Sequence, residues 1–173
     1  MTITSDIYLR ALEPEDATLI FMWENDSNLW QYGNTQAPLS LHQIRQYIDN
    51  YTDDVFANRQ QRLMICRGDM AVGTIDLYEL DPIHRRAGVG IMVAHEHQRE
   101  GIAKLALEAF ARYAEDRLGL HQLWCVCAVN NIPAIATFKS AGFTISGKLR
   151  SWIRIGHSYT DAFILQKLLT RAF

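Results

Sequence analysis

The sequence predicts a single-domain α/β (α+β) fold, a mixed sheet of about seven strands with helices on both faces. Three observations lead there. The chain has 173 residues, 49% apolar and 21% charged, enough for one sizeable core but not for two independent ones. Runs with strand alternation and runs at helical spacing follow one another in the order β-α-α-β-β-β-α-β-α-β-β. The longest uninterrupted apolar stretch, Leu123 to Val129, has seven residues, far short of the ~20 that a membrane-spanning helix needs.

Ile7, Leu9 and Ala11 alternate with polar neighbours and form the first strand. Pro14 opens a helix through about Glu24, with Glu15 and Asp16 in its first turn. Asn25 to Leu39 reads as a structured loop. Ser40-Leu41-His42-Gln43 is a capping-box pattern ahead of Ile44, Tyr47, Ile48 and Tyr51 at helical spacing. Gln61 to Arg67 and Met70 to Leu80 are strand-like runs, and Gly68-Asp69 between them signals a tight hairpin. Pro82 stops the second run, and Arg86 to Ala94 forms another strand. Gly101 to Leu118 places Ile102, Leu105, Ala109, Phe110, Tyr113 and Leu118 on a helical stripe that Gly119 ends. His121 to Val129 is a buried type of strand. Asn131-Ile132-Pro133 starts a further helix with Ile135 and Phe138 on one side and Gly142 at its end. Phe143 to Ile155 and Ser158 to Leu168 are the last strands, turning at Gly156-His157.

Seventeen Lys and Arg against nineteen Asp and Glu give a net charge of −2 that hides an asymmetry. Residues 1–81 hold thirteen acids and five bases, a net −8; residues 82–173 hold six acids and twelve bases, a net +6. Two readings stand: the C-terminal half faces an anion and the N-terminal half a cation, or solvated surface charge has drifted this way. A pI near 6.3 and an acidic N-terminal half offer no footprint for nucleic acid. The first twenty residues carry Asp6, Glu13, Glu15 and Asp16 in place of the basic-then-apolar signal pattern, so a cytoplasmic location is expected. Three cysteines make no disulfide framework. Cys125 and Cys127 share one strand face without the second pair that a zinc site wants, and read as buried small hydrophobes.

The chemistry concentrates between Ile91 and Lys104, where a strand passes through a short polar loop into a helix. Such an entrance presents backbone N–H groups at the positive end of a helix dipole, a site for phosphate. Gly101 permits close approach of a pyrophosphate, and Arg99 and Lys104 add positive charge. Neither GxxxxGK[ST] nor GxGxxG is present there. Gly88 and Gly90 lead into strand residues and read as a bulge or a close backbone approach. His95-Glu96-His97 lacks further ligands for a metal and reads as surface.

Gln98-Arg99-Glu100-Gly101-Ile102-Ala103 resembles the Q/R-x-x-G-x-G/A signature of the GNAT superfamily of CoA-dependent N-acyltransferases. A second block, from Asn131 through Ala134 and Phe138 to Gly142-Phe143, is similar to the family's N-x-x-A-x-x-x-Y-x-x-x-G-F pattern at the right distance. Ile83 to Ala87 and Gly147 to Asp161 look most like the branch containing spermidine acetyltransferases and ribosomal-protein alanine acetyltransferases. The resemblance extends over essentially the whole chain.

It implies a sheet splayed between its fourth and fifth strands, here Ile91 to Ala94 and His121 to Val129, with pantetheine of acetyl-CoA in the gap. Met92, Val93 and Ala94 would offer backbone groups to it, the Val93 N–H polarising the thioester carbonyl. Gln98, Arg99, Glu100, Gly101, Ile102, Ala103 and Lys104 would hold the pyrophosphate, Asn131, Ala134 and Phe138 would border the co-substrate, and Lys139 would reach the 3′-phosphate. A primary amine attacks directly, and no metal is required. Two positions depart from the family: Phe138 stands where a tyrosine often protonates the thiolate, and Gly88 where a glutamate accepts the ammonium proton. Glu79, through water, is the first substitute base, with Tyr78 and Asp76 as alternatives; alternation puts Asp76 and Tyr78 on one face and Glu79 on the other. Glu24, Trp30 and Tyr32, with Asp76, would meet the acceptor, because acids and aromatic faces both attract ammonium groups. That favours a polyamine such as spermidine. A protein N-terminus, or a CoA-binding or sensing module without catalysis, remains the alternative, and the partners expected are a small-molecule or peptide amine and no nucleic acid or membrane, with self-association left open.

Overall fold

Eight strands form one sheet in the order β1-β2-β3-β4-β5-β6-β8-β7. They are β1 Thr2–Thr4, β2 Ile7–Arg10, β3 Gln61–Arg67, β4 Met70–Asp81, β5 Arg86–Val93, β6 Gln122–Ala128, β7 Thr144–Ile155 and β8 Ser158–Leu168. The computed structural model describes residues 2–4, 7–27, 37–52 and 54–169. Neighbouring strands are antiparallel except β5 and β6, which run parallel. This is the mixed sheet expected, with the three-residue β1 added at its edge.

The parallel pair decides the architecture. β5 and β6 register only at Arg86 with Gln122, Ala87 with Leu123 and Gly88 with Trp124. Beyond Gly88 each strand keeps its outer partner, β5 with β4 as far as Val93 opposite Gly73 and β6 with β8 as far as Ala128 opposite Ala162. The sheet is therefore splayed between the fourth and fifth of the strands read from sequence.

The chain divides into two compact units, Met1–Arg10 with Val55–Phe173, and Ala11–Asp54. In the first, α4 (Ile102–Asp116) buries Ala106, Leu107, Phe110 and Ala114, and α5 (Ile132–Ser140) buries Ile135 and Phe138. They join Leu77 of β4, Ala87 and Val89 of β5, and Leu123, Cys125 and Cys127 of β6 in one core. Each CH₂ buried there stabilises the fold by about 0.8 kcal/mol. α4 ends as its glycine predicts: Gly119 takes φ +63°, and Leu120 N–H donates to Ala114 O at 2.9 Å. All three cysteines are free and buried. A hydrogen bond with Cys127, then burial, pushes the Cys125 thiol up and keeps it unreactive.

The second unit holds a 3₁₀ turn, Pro14–Asp16, leading into α1 (Ala17–Glu24), and α2 (Leu41–Asp49). The capping box forms: Gln43 N–H donates to Ser40 Oγ at 3.1 Å and Ser40 N–H to Gln43 Oε1 at 2.8 Å. Asn25 clasps the loop between the helices, donating to Leu39 O and accepting from Leu39 N–H, both at 2.9 Å. A short helix, α3 (Val55–Asn58), was not legible in the sequence, because four residues are too few to show a helical repeat. No helix among the described residues is long and apolar enough to cross a membrane.

Candidate functional site

The open edge of β5 follows from its pairing with β4. Ala94 N–H donates to Val72 O at 2.9 Å, which fixes the alternation along the ladder. Met92 opposite Thr74, Gly90 opposite Asp76 and Gly88 opposite Tyr78 are then the hydrogen-bonded pairs. Val89, Ile91 and Val93 belong to the other class and turn their N–H and C=O groups away from β4, toward the splay. Gln98 Nε2 meets Val93 O there at 3.0 Å. Of Met92, Val93 and Ala94, only Val93 thus points main-chain groups into the gap; Ala94 is held by Val72, and Ala94 O accepts His97 N–H at 2.9 Å. Gly73 lets the strands approach at this point, since a Cβ there would overlap Met92 O and lie 3.0 Å from Val93 Cα.

At the helix entrance, Arg99 takes φ +65° and Gly101, the residue before α4, φ +79°. Nothing lies within 4 Å of where a Gly101 side chain would start, so the site is open. Leu105 N–H makes the first intrahelical bond, to Gly101 O. The N–H groups of Ile102, Ala103 and Lys104 have no carbonyl partner within the helix, the arrangement that can receive an anion. Ile102 anchors the turn in the core, while Glu100 is tied by an ion pair to Arg67 of β3. Lys104 Nζ lies 3.8 Å from Glu108 Oε1, a turn further along. On α5, Asn131 Oδ1 accepts Ala134 N–H at 3.3 Å. Phe138 is buried edge-on against Phe143, ring centroids 5.1 Å apart, and Lys139 is exposed.

Asp76, Tyr78, Gly88, Gly90 and Trp124 share the face opposite Ala87, Val89, Leu123 and Cys125. Arg62 grips Asp76 with Nε to Oδ1 at 2.6 Å and Nη2 to Oδ2 at 3.1 Å, so this carboxylate is already neutralised by a fork of two bonds. The Tyr78 ring lies across Gly88: a Cβ there would come within 2.5 Å of Tyr78 Cζ and 2.7 Å of Cδ2. Its other neighbour is Trp124, edge-on at 5.3 Å and 81°. Burial pushes the Tyr78 phenol well above its ordinary range, with the Cys125 thiol adding to it. Glu79 sits at a register break between Tyr78 and Asp81 with φ +48°, and its side chain is exposed. Strand alternation fails there, so the face expected for Glu79 does not follow from Tyr78.

Glu24 ends α1 in the second unit, half-buried. Trp30 and Tyr32 lie outside the described residues. Sequence reasoning missed Arg62 and Trp124; each acquires meaning through a cross-strand partner, Asp76 and Gly88, and register is what a single sequence lacks. Among the described residues, His95 and His97 join no group of three or more His, Cys, Asp or Glu able to hold a metal.

Residues 6–144 match the family described as acetyltransferase (GNAT) domain. The chain is 29% identical to the spermidine N(1)-acetyltransferase of Vibrio cholerae serotype O1 over 175 residues, covering 98% of this chain and 99% of that protein. A crystal structure of the V. cholerae spermidine N-acetyltransferase in complex with CoA and spermine matches with a TM-score of 0.85 at 27% identity, over 96% of this chain and 97% of that one. The ribosomal-protein-serine acetyltransferase of Escherichia coli K12 is 24% identical over 106 residues, 61% of this chain and 59% of that protein. Splayed parallel strands, an open glycine-led helix entrance beside them and a match running through both place the chain in one family: it belongs to the GNAT acetyltransferases.

Proposed function

We propose that the protein transfers the acetyl group of acetyl-CoA to a primary amine of a polyamine such as spermidine. The observation that carries this reading is the outward-turned Val93 N–H at the edge of the splay. A donor fixed there meets the thioester oxygen as charge develops on it, and loss of one such donor typically costs about 3 kcal/mol in rate. The amine nitrogen forms its bond to the carbonyl carbon, the carbon–sulfur bond breaks, and the electron pair leaves with sulfur. Holding the two reactants together supplies much of the acceleration.

The free N–H groups of Ile102 to Lys104, with Gln98, Arg99, Glu100 and Gly101 shaping the turn, receive the pyrophosphate. Asn131 and Ala134 border pantetheine, and Lys139 meets the 3′-phosphate. Phe138 packs beside the chain and cannot donate a proton, so the departing thiolate receives, through water, the proton that the nitrogen sheds as the amide forms. Glu79 accepts the ammonium proton through water from its exposed position. Polyamine selectivity is supported by the name of the V. cholerae relative and by residues 11–54, which hold eight acids and one base. Glu24 belongs to that set. Asp76 contributes less to the attraction, its charge being matched by Arg62.

A panel of amines assayed by CoA release tests the reading. Spermidine or a related polyamine should lead. Preference for an anionic acceptor would reject the polyamine assignment, and CoA binding with no acetylated product from any amine would identify a binding module instead.

A further inference from the structure

We propose that Tyr78 and Trp124 form an aromatic corner that receives the unbranched carbon chain and ammonium group of the acceptor, beside the side-chain-free position of Gly90. The inference rests on the acetyl-transfer reading and names the acceptor's contact within it.

The backbone around Tyr78 is arranged to put its ring there. Tyr78 crosses to the neighbouring strand and lies over the one residue type that leaves room for it. The next residue, Glu79, occupies the left-handed region at a break in the β4–β5 register. Breaks of this kind re-aim side chains, and a non-glycine residue with positive φ persists only where its surroundings hold it.

The place reached is the head of the splay. Gly88 and Trp124 are the last pair before β5 and β6 part. The two rings meet at 81° and form a corner, and both residues are only partly buried. Tyr78 Oη has no hydrogen-bond partner among the described residues. Beyond the covered Gly88, a Cβ at Gly90 would stand 3.8 Å from Tyr78 Cε1 and 4.0 Å from Asp76 Cβ, so the missing side chain leaves a slot one carbon wide between the ring and the carboxylate arm.

Charge selects the mode of recognition. Arg62 matches Asp76 with two bonds, so the slot has no free carboxylate to hold a cation. What remains are aromatic faces and an uncharged phenol. These suit methylene groups and a cation over a ring. A narrow slot between a ring and an ion pair fits a primary alkylamine with a straight chain, and excludes a bulky amino sugar.

Calorimetry of spermidine binding to the full-length protein saturated with CoA tests the corner directly, without turnover. Tyr78→Leu and Trp124→Leu should each weaken binding about tenfold or more, while Tyr78→Phe, which keeps the ring, stays within about threefold. Gly90→Val should also weaken it; it fills the slot and removes neither ring, which keeps the test decisive if either leucine variant fails to fold. Steady-state assays should place the loss in KM for the amine, with affinity for CoA unchanged. Equal spermidine affinity in wild type, Trp124→Leu and Gly90→Val, or no spermidine binding by the wild type, would overturn the proposal. Binding that depends on the corner but yields no acetylated product would leave the corner standing and defeat the acetyl-transfer reading.

Discussion

A glycine at position 88 has one meaning in the chain and another in the sheet. From sequence it is a strand glycine and the loss of a carboxylate; in the structure it is the space that a tyrosine from the next strand fills. Gly88→Ala should therefore destabilise the protein by about 1–3 kcal/mol through overpacking. Combining it with Tyr78→Ala should recover part of that loss, a coupling between contacting residues that urea denaturation of the single and double variants measures. Additive effects would mean that the ring moves aside freely. Phe138 illustrates the reverse case, where the chemical type sufficed. A phenyl ring cannot donate a proton, and the structure packs it edge-on against Phe143. Phe138→Leu is expected to cost about 1–2 kcal/mol of stability and to lower kcat only severalfold; a loss of several hundredfold at unchanged CoA affinity would show a catalytic role for the ring. Glu79 was less legible, because an insertion into strand register leaves no local trace in its side chain.

At the scale of elements, what the sequence shows best is punctuation. The Ser40 capping box, the Gly68 hairpin, the Gly101 entrance and the Gly119 and Gly156 turns all appear where their residue types demand, and these four glycines carry positive φ. Such signals are legible because cause and effect lie within a few residues. The short α3 and the bulge of β4 depend on packing and pairing far along the chain, and neither has a comparable local mark. The α4 entrance joins both kinds of constraint. Gly101 takes a left-handed conformation in the turn with open space beside it, so Gly101→Glu strains the backbone and places a negative charge at the proposed anion site. Titration with acetyl-CoA should show binding lost while the far-ultraviolet spectrum is retained. Unchanged affinity in the folded variant would remove the helix entrance from CoA recognition. Gly73→Ala offers a separate check on the β5 edge: its Cβ would overlap Met92 O, and the displaced Val93 N–H should lower kcat more than it alters CoA affinity.

Across the whole molecule, the charge division of −8 and +6 between residues 1–81 and 82–173 acts at a distance that contacts do not. On the polyamine reading proposed above, an acidic N-terminal region would raise the local concentration of a polycation, and a basic C-terminal region would do the same for the phosphates of CoA. The aromatic corner on β4 and β6 works by touch, through rings and methylene groups. Salt separates the two contributions. Raising ionic strength from about 0.05 to 0.5 M shortens the screening length from over 10 Å to about 4 Å, so long-range attraction fades while contacts persist. For amines bearing one, two and three ammonium groups on similar chains, the salt-induced rise in KM should grow with charge, and the Tyr78→Leu penalty should stay nearly constant across salt. Acetyl-CoA should show its own rise in KM, with kcat little changed. If the monoamine and triamine respond alike, the acids of the N-terminal region do not steer the acceptor; if the Tyr78→Leu penalty itself vanishes in high salt, the corner recognises charge at range and not the amine in contact.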